Sequence, residues 1–140
     1  MIEIALNNQQ TCVEIDPQRL VAAAQKILEE LGRPRCQLSI AVVDNDSIHD
    51  LNRQYLQHDY ATDVLSFLLE DDEQHLDGEV IVSAEMAADQ CHRFGWSEAD
   101  ELMLYVIHGV LHLVGFDDQD DAACAEMRAA ERKFLGQFGL

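Results

Sequence analysis

His108-Gly109-Val110-Leu111-His112-Leu113-Val114-Gly115-Phe116-Asp117-Asp118 holds two histidines four residues apart, inside an apolar run that ends on a glycine and two aspartates. Leading into and through this stretch, Leu102, Tyr105, Val106, Val110 and Leu113 recur at helical spacing. On a helix, side chains at i and i+4 lie on one face, one above the other, so both imidazoles can converge on one ion. Gly115 gives the backbone freedom to end the helix and turn the chain back. Asp118, six residues after His112, can then bring a third donor to the same place. Two histidines and one carboxylate leave an open position for water, the pattern of a catalytic rather than a structural zinc-type site. The alternative for such a pair is two hydrogen-bonded core histidines; the glycine and the carboxylate that follow favour the metal reading. Helical zinc proteases carry Glu after the first histidine as general base. Here that position is Gly109, which has no side chain to take a proton and argues against a protease of that type. A glycine inside a helix costs roughly 1 kcal/mol against alanine; close approach of backbone or substrate is the expected reason.

Working outward, Ile2 to Leu6 alternates apolar and polar residues and reads as a strand, with a polar turn over Asn7 to Gln10. Thr11 to Ile15 fits either a second short strand or an extended return. Asp16-Pro17 opens a helix whose apolar stripe is Leu20, Val21, Ala24, Ile27, Leu28 and Leu31, stopped by Gly32 and Pro34. Gln37 to Val43, Val64 to Leu69 and Glu79 to Val82 are further strands. Ile48, Leu51, Asn52 and Tyr55 fit a short helix between the second and third strands. Glu70 to Glu73 is expected to be a solvated loop. Ser83 caps a helix towards Phe94 that ends at Gly95. Ser97 with Asp100 forms a capping box for the histidine helix. A last helix spans about Ala122 to Phe138. The order predicts one α+β domain over residues 1–140 with a small four-stranded sheet.

The chain has 140 residues and is 48% hydrophobic, enough for one core. It contains no bilayer-length apolar run and no basic leader at its start, so a cytoplasmic protein without a membrane partner is expected. Its four cysteines, Cys12, Cys36, Cys91 and Cys124, include no C-x-x-C pair; reduced, buried thiols are expected. The formal charge of −18 excludes a broad basic face for nucleic acid. An RNA substrate would have to be held by a local pocket, by the metal or by a partner. His49, His58, His75 and His92 have no partner at ligand spacing and read as surface or hydrogen-bonded residues.

From His108 through Asp117 the chain resembles the YbeY family, whose signature is similar to H-G-x-L-H-L-x-G-[YF]-D-H. Further matching blocks are Leu51-Asn52, Tyr55, Asp59 and Thr62 to Phe67; Gly78-Glu79-Val80-Ile81; and Met127 with Glu131. The resemblance implies a zincin-like α+β fold, with a small mixed four-stranded sheet flanked by helices, and a zinc-dependent endoribonuclease with one Zn2+ per chain, acting on single-stranded RNA in 16S ribosomal RNA maturation and ribosome quality control. The implied partners are ribosomal RNA and the small ribosomal subunit, with ribosomal proteins or an assembly GTPase as further ones.

On that reading His108, His112 and Asp118 hold the zinc. The family's third histidine falls at Asp118, which lowers the formal charge of the metal–ligand unit from +2 to +1 and so weakens its Lewis acidity. The family's arginine falls at Leu56, which cannot stabilise charge on a phosphoryl oxygen. Arg53, about one helical turn earlier, is the expected replacement, or else an ordinary surface residue. Asp117 either orients a ligand, relays a proton or caps the next helix. Asp63 and Ser66 are expected to line the cleft. Two competing functions stay open: a metal-dependent hydrolase of another substrate, and a ribosome-assembly binding protein whose zinc is structural and carries a fourth protein ligand.

Overall fold

The computed structural model describes residues 1–58 and 60–140, with the backbone alone at Phe94. Asp59, part of the second matching block, lies outside the described residues. The elements are β1 (Ile2–Asn8), α1 (Pro17–Leu31), β2 (Arg35–Val43), α2 (Asn45–Leu56), β3 (Val64–Asp71), β4 (His75–Ser83), α3 (Ala84–Gln90), a 3₁₀ turn (Cys91–Phe94), α4 (Glu98–Leu113) and α5 (Asp121–Gly136). The strands form one sheet in the order β1-β2-β4-β3. β1/β2 and β2/β4 are parallel and β3/β4 is antiparallel, the expected mixed four-stranded sheet.

Strand alternation gives the sheet two different faces. On one, Leu38, Ile40 and Val42 of β2 and Val80 and Val82 of β4 are buried with residues of α1 and α4 in the main core. On the other, α2 covers only one end, through a small cluster of Val43, Ile48, Leu65 and Ile81. The rest of that face carries exposed Arg35, Gln37 and Ser39. α4 is buried almost all round, including Leu102, Val106, Ile107, Val110 and Leu111. Each such side chain contributes about 1.5–3 kcal/mol of burial, so the core holds α4 firmly in place. The expected capping box is present: Asp100 N–H donates to Ser97 Oγ at 3.2 Å, and Ser97 N–H to Asp100 Oδ2 at 3.4 Å.

Gly109 has its reason in the sheet rather than in a ligand. A Cβ there would stand 2.6 Å from Val80 Cγ1 and 2.9 Å from Val64 Cγ2. Ser66 Oγ donates to the Gly109 carbonyl at 2.9 Å. Only a residue without a side chain lets α4 approach β3 and β4 this closely, and that approach sets the height of His108 over the strand ends.

Several expectations are corrected. β1 continues to Asn8 because Asn7 and Asn8 pair with Ala41 and Val42. Of the two readings of Thr11 to Ile15 the strand falls away and the non-strand return remains; the turn is organised by the buried Gln10 side chain, which accepts from Val13 N–H at 2.9 Å and donates to the Val13 carbonyl at 2.9 Å. The helix from Ser83 ends at Gln90, and the stretch to Phe94 is 3₁₀. Glu70 and Asp71 are not loop: β3 runs on through a bulge between Leu68 and Glu70. All four cysteines are free, but only Cys36 and Cys91 are buried; Cys12 is exposed and Cys124 half-buried. Among the described residues no helix is long and apolar enough to cross a membrane.

Candidate metal centre

The last turns of α4 present His108 and His112 on one side, with their ring centroids 5.3 Å apart. Gly115, at φ 110°, ends the helix in a conformation that L side chains rarely adopt, and the chain doubles back. Asp118 thereby returns to the histidines. One donor atom from each of His108, His112 and Asp118 lies within 4.8 Å of the others, and His112 Nε2 stands 3.9 Å from Asp118 Oδ1. Two ligands of one tetrahedral ion at about 2.1 Å lie roughly 3.4 Å apart, so small side-chain rotations close the set on a single ion. The donor chemistry suits zinc as well: two imidazoles and a carboxylate, no fourth protein donor in the group among the described residues, and solvent access at His112 and Asp118.

A carboxylate without an assigned role in the sequence supports this set. Glu131, on α5 and only 3% exposed, takes His108 Nδ1 at 2.8 Å. With that nitrogen as the donor, Nε2 keeps its lone pair for an ion, the usual way a ligating histidine is oriented. Arg128, one turn earlier, donates to Glu131 at 2.6 and 3.0 Å. Burial pushes the Glu131 carboxyl up, but the hydrogen bonds from His108 and Arg128 outweigh it and hold the group below the ordinary carboxylate range. The signal for Glu131 was available: Met127, Glu131, Phe134 and Leu135 form the buried stripe of α5, and a carboxylate in such a stripe requires a partner.

His108 and Asp118 open onto a cavity of about 570 Å³ between α4 and α5. Three arginines line it, Arg93, Arg128 and Arg132, out of only nine basic residues in the chain. In a protein of net charge −18 this is a local concentration of guanidinium, the group best shaped to take phosphate oxygens. Trp96 adds an indole to the wall. Glu101, fully buried, reaches Arg93 at 3.7 Å, beyond hydrogen-bond distance. Burial, followed by the charge of Glu101, raises the Tyr105 phenol above its ordinary range.

Other expected site residues fall elsewhere. Asp63 lines the cavity, whereas the Ser66 hydroxyl is taken by the Gly109 carbonyl. Asp117 lies outside the donor group and accepts from Gln119 N–H at 3.3 Å. It does not cap α5; Asp120 does, accepting from Ala123 N–H at 2.7 Å. Arg53 is not brought to the cavity. It sits on α2, across the sheet from α4, with its guanidinium 2.9 Å from Asp50. Leu56 is 43% exposed. His75, without a partner at ligand spacing in the sequence, stands beside Glu70 and Asp77. His58 packs flat on Tyr60, its Nδ1 3.2 Å from the hydroxyl.

A mixed sheet with a helix-borne histidine pair and a returning carboxylate defines an α+β protein of the zincin-like class. Comparison with known proteins makes the assignment specific. The family model for "Endoribonuclease YbeY" matches residues 5–139, and the chain belongs to that family. It is 41% identical to an endoribonuclease YbeY of Carboxydothermus hydrogenoformans, covering 96% of both chains. It is 37% identical to one of Sulfurovum sp., covering 98% of this chain and 91% of the relative. It is also similar to the solution structure of TM1509 from Thermotoga maritima, with a TM-score of 0.58 and 29% identity over 96% of this chain and 87% of the other. Membership of an endoribonuclease family makes the chain a hydrolase of the nuclease kind that acts on RNA.

Proposed function

We propose that the chain acts as one zinc-dependent endoribonuclease domain that cleaves single-stranded RNA, with ribosomal RNA of the small subunit as its substrate in 16S maturation and quality control, in the cytoplasm. The observation that carries the reading is the gathering of His108, His112 and Asp118 at the mouth of an arginine-lined cavity. These three side chains would hold one Zn2+, which when bound supplies Lewis-acid polarisation of a phosphate oxygen and a more acidic water. Glu131 holds the His108 tautomer and ring plane, and Arg128 keeps Glu131 ionised beside it. Arg93 and Arg132 take up phosphates on either side of the scissile bond and hold the strand in place, which is where most of the gain in phosphoryl chemistry lies. In this reading the cavity arginines take the place that the sequence offered to Arg53. Asp117, next to the ligand Asp118, shapes the turn that delivers it.

Three donors with an open side speak for a reactive rather than a structural ion, and so against the assembly-factor reading. Purified, metal-loaded protein incubated with ribosomal RNA, with and without a chelator, beside His112→Ala, tests the proposal. Cleavage that stops with chelator and in the variant is expected. Cleavage surviving both indicates a contaminating nuclease and overturns it, as does specific binding to small subunits with no cleavage at all.

A further inference from the structure

A second group of metal-type donors gathers where the sequence shows only acidic loop. Glu70 and Asp77 are direct partners across the antiparallel β3/β4 pair, in register only because of the bulge between Leu68 and Glu70. Without that extra residue Leu69 would stand opposite Asp77, and Glu70 would turn towards the helix face. His75 lies two residues before Asp77 on β4 and so faces the same side. One donor atom from each of Glu70, His75 and Asp77 lies within 4.8 Å of the others.

Three independent features of this corner ask for a cation. Like charges directly opposite across a strand pair destabilise it, yet here the bulge creates such a pair. Among the described residues neither carboxylate has a hydrogen bond or an ion pair. Arg33, the cation nearest along the chain, is turned to Asp71 at 3.0 Å and to the Asp72 carbonyl at 2.9 Å. Arg35, in register beside His75, forms no ion pair among the described residues. Finally, the His75 Nε2 atom is buried without a hydrogen-bond partner, although the residue's backbone is fixed: its N–H donates to Asp72 Oδ1 at 2.8 Å and its carbonyl accepts from Asp72 N–H at 2.9 Å. A buried ring nitrogen left unpaired is costly, and a bound ion is one of the few groups that accounts for it.

We propose that Glu70, His75 and Asp77 bind a divalent first-row transition ion, zinc or manganese, which clips the edge strand β3 to β4. One imidazole and two carboxylates are the mixed donor set those ions accept. Two carboxylates neutralise the ion, so binding removes two of the chain's excess negative charges. The site lies on the sheet face opposite α4 and stands independently of the reading of His108, His112 and Asp118.

The test uses His112→Ala, which disables the α4 donor set, stripped of metal and titrated with Zn2+ and with Mn2+. One equivalent is expected to bind, and at about one hundred times Kd the Tm should rise by roughly 5–10 °C. Adding His75→Ala should abolish both effects. Should His112→Ala fail to fold, His75→Ala in the otherwise unaltered chain is expected to bind one equivalent fewer than the parent while cleaving RNA at the parental rate. No ion bound by His112→Ala, or one bound equally well without His75, overturns the proposal.

Discussion

The donor sets at the end of α4 and on the β3–β4 hairpin offer similar atoms on opposite kinds of backbone. At α4 the spacing is local: two histidines one turn apart on a helix that the core holds from nearly every side. The first ring is locked from behind by Glu131 and Arg128. On the hairpin the spacing depends on pairing and on one bulge, and neither carboxylate has a supporting partner among the described residues. The first arrangement is pre-organised for chemistry that needs fixed geometry. The second holds its acids in mutual repulsion until something neutralises them, which suits a stabilising ion rather than a reacting one.

The strongest way to break this contrast is to remove the support at α4. Glu131→Gln should lower metal affinity at His108, His112 and Asp118 by roughly 10–100-fold, read by competition with a chromophoric chelator, and leave the hairpin unaffected. An unchanged affinity would mean that the buried carboxylate does not orient the ring. Next in size is the seat of the helix itself. Gly109→Ala should cost about 1–2 kcal/mol in denaturant unfolding, because crowding against Val80 and Val64 exceeds the helix propensity that alanine restores. A stabilised variant would show that the sheet yields and that the height of His108 is not fixed there.

The cavity wall gives a smaller effect. Arg132→Ala should weaken binding of a single-stranded RNA a few-fold in the presence of chelator, and reduce the slope of log affinity against log salt by about 0.7. Arg35→Ala, on the hairpin's sheet face, should do neither; equal effects would place the RNA on the sheet instead. The smallest effect sits on α2, which covers the other end of that face. Asp44 Oδ1 accepts from Ser47 N–H at 2.8 Å as the helix cap, and that bond, with the Ser47 hydroxyl next, holds its carboxyl below the ordinary value of 3.8. A lowered acid stabilises the fold above its unfolded pKa and loses that contribution as pH falls through the folded one. Asp44→Ala should therefore cost about 0.5–1 kcal/mol near neutral pH, and in acid unfolding the difference from the parent should begin to shrink as pH falls below 3.8 and be lost only below the lower folded-state value.

Much of the fold was legible because its signals are local. Asp16-Pro17, Ser97 with Asp100 and Gly115 mark helix ends by hydrogen bonds and backbone freedom that involve neighbours in sequence. The strands showed in their alternation. The extension of β3 past Leu69 did not, since Glu70 and Asp71 have the composition of a loop and owe their strand geometry to pairing with Asp77 and Leu76. Arg53 fits the same lesson. Its distance from Leu56 along one helix pointed to the cleft, but α2 packs on the other side of the sheet, and three arginines from the 3₁₀ turn and α5 stand there instead.

By itself the sequence determined the histidine pair, the carboxylate that follows it and the turn that joins them, because a helix repeats every 3.6 residues whatever surrounds it. The tertiary structure alone decided which carboxylate backs His108, which guanidiniums share its cavity, and that Glu70 meets His75 and Asp77. Those meetings are between segments whose relative positions are set by strand register and helix packing, and neither is written in the spacing of any one segment.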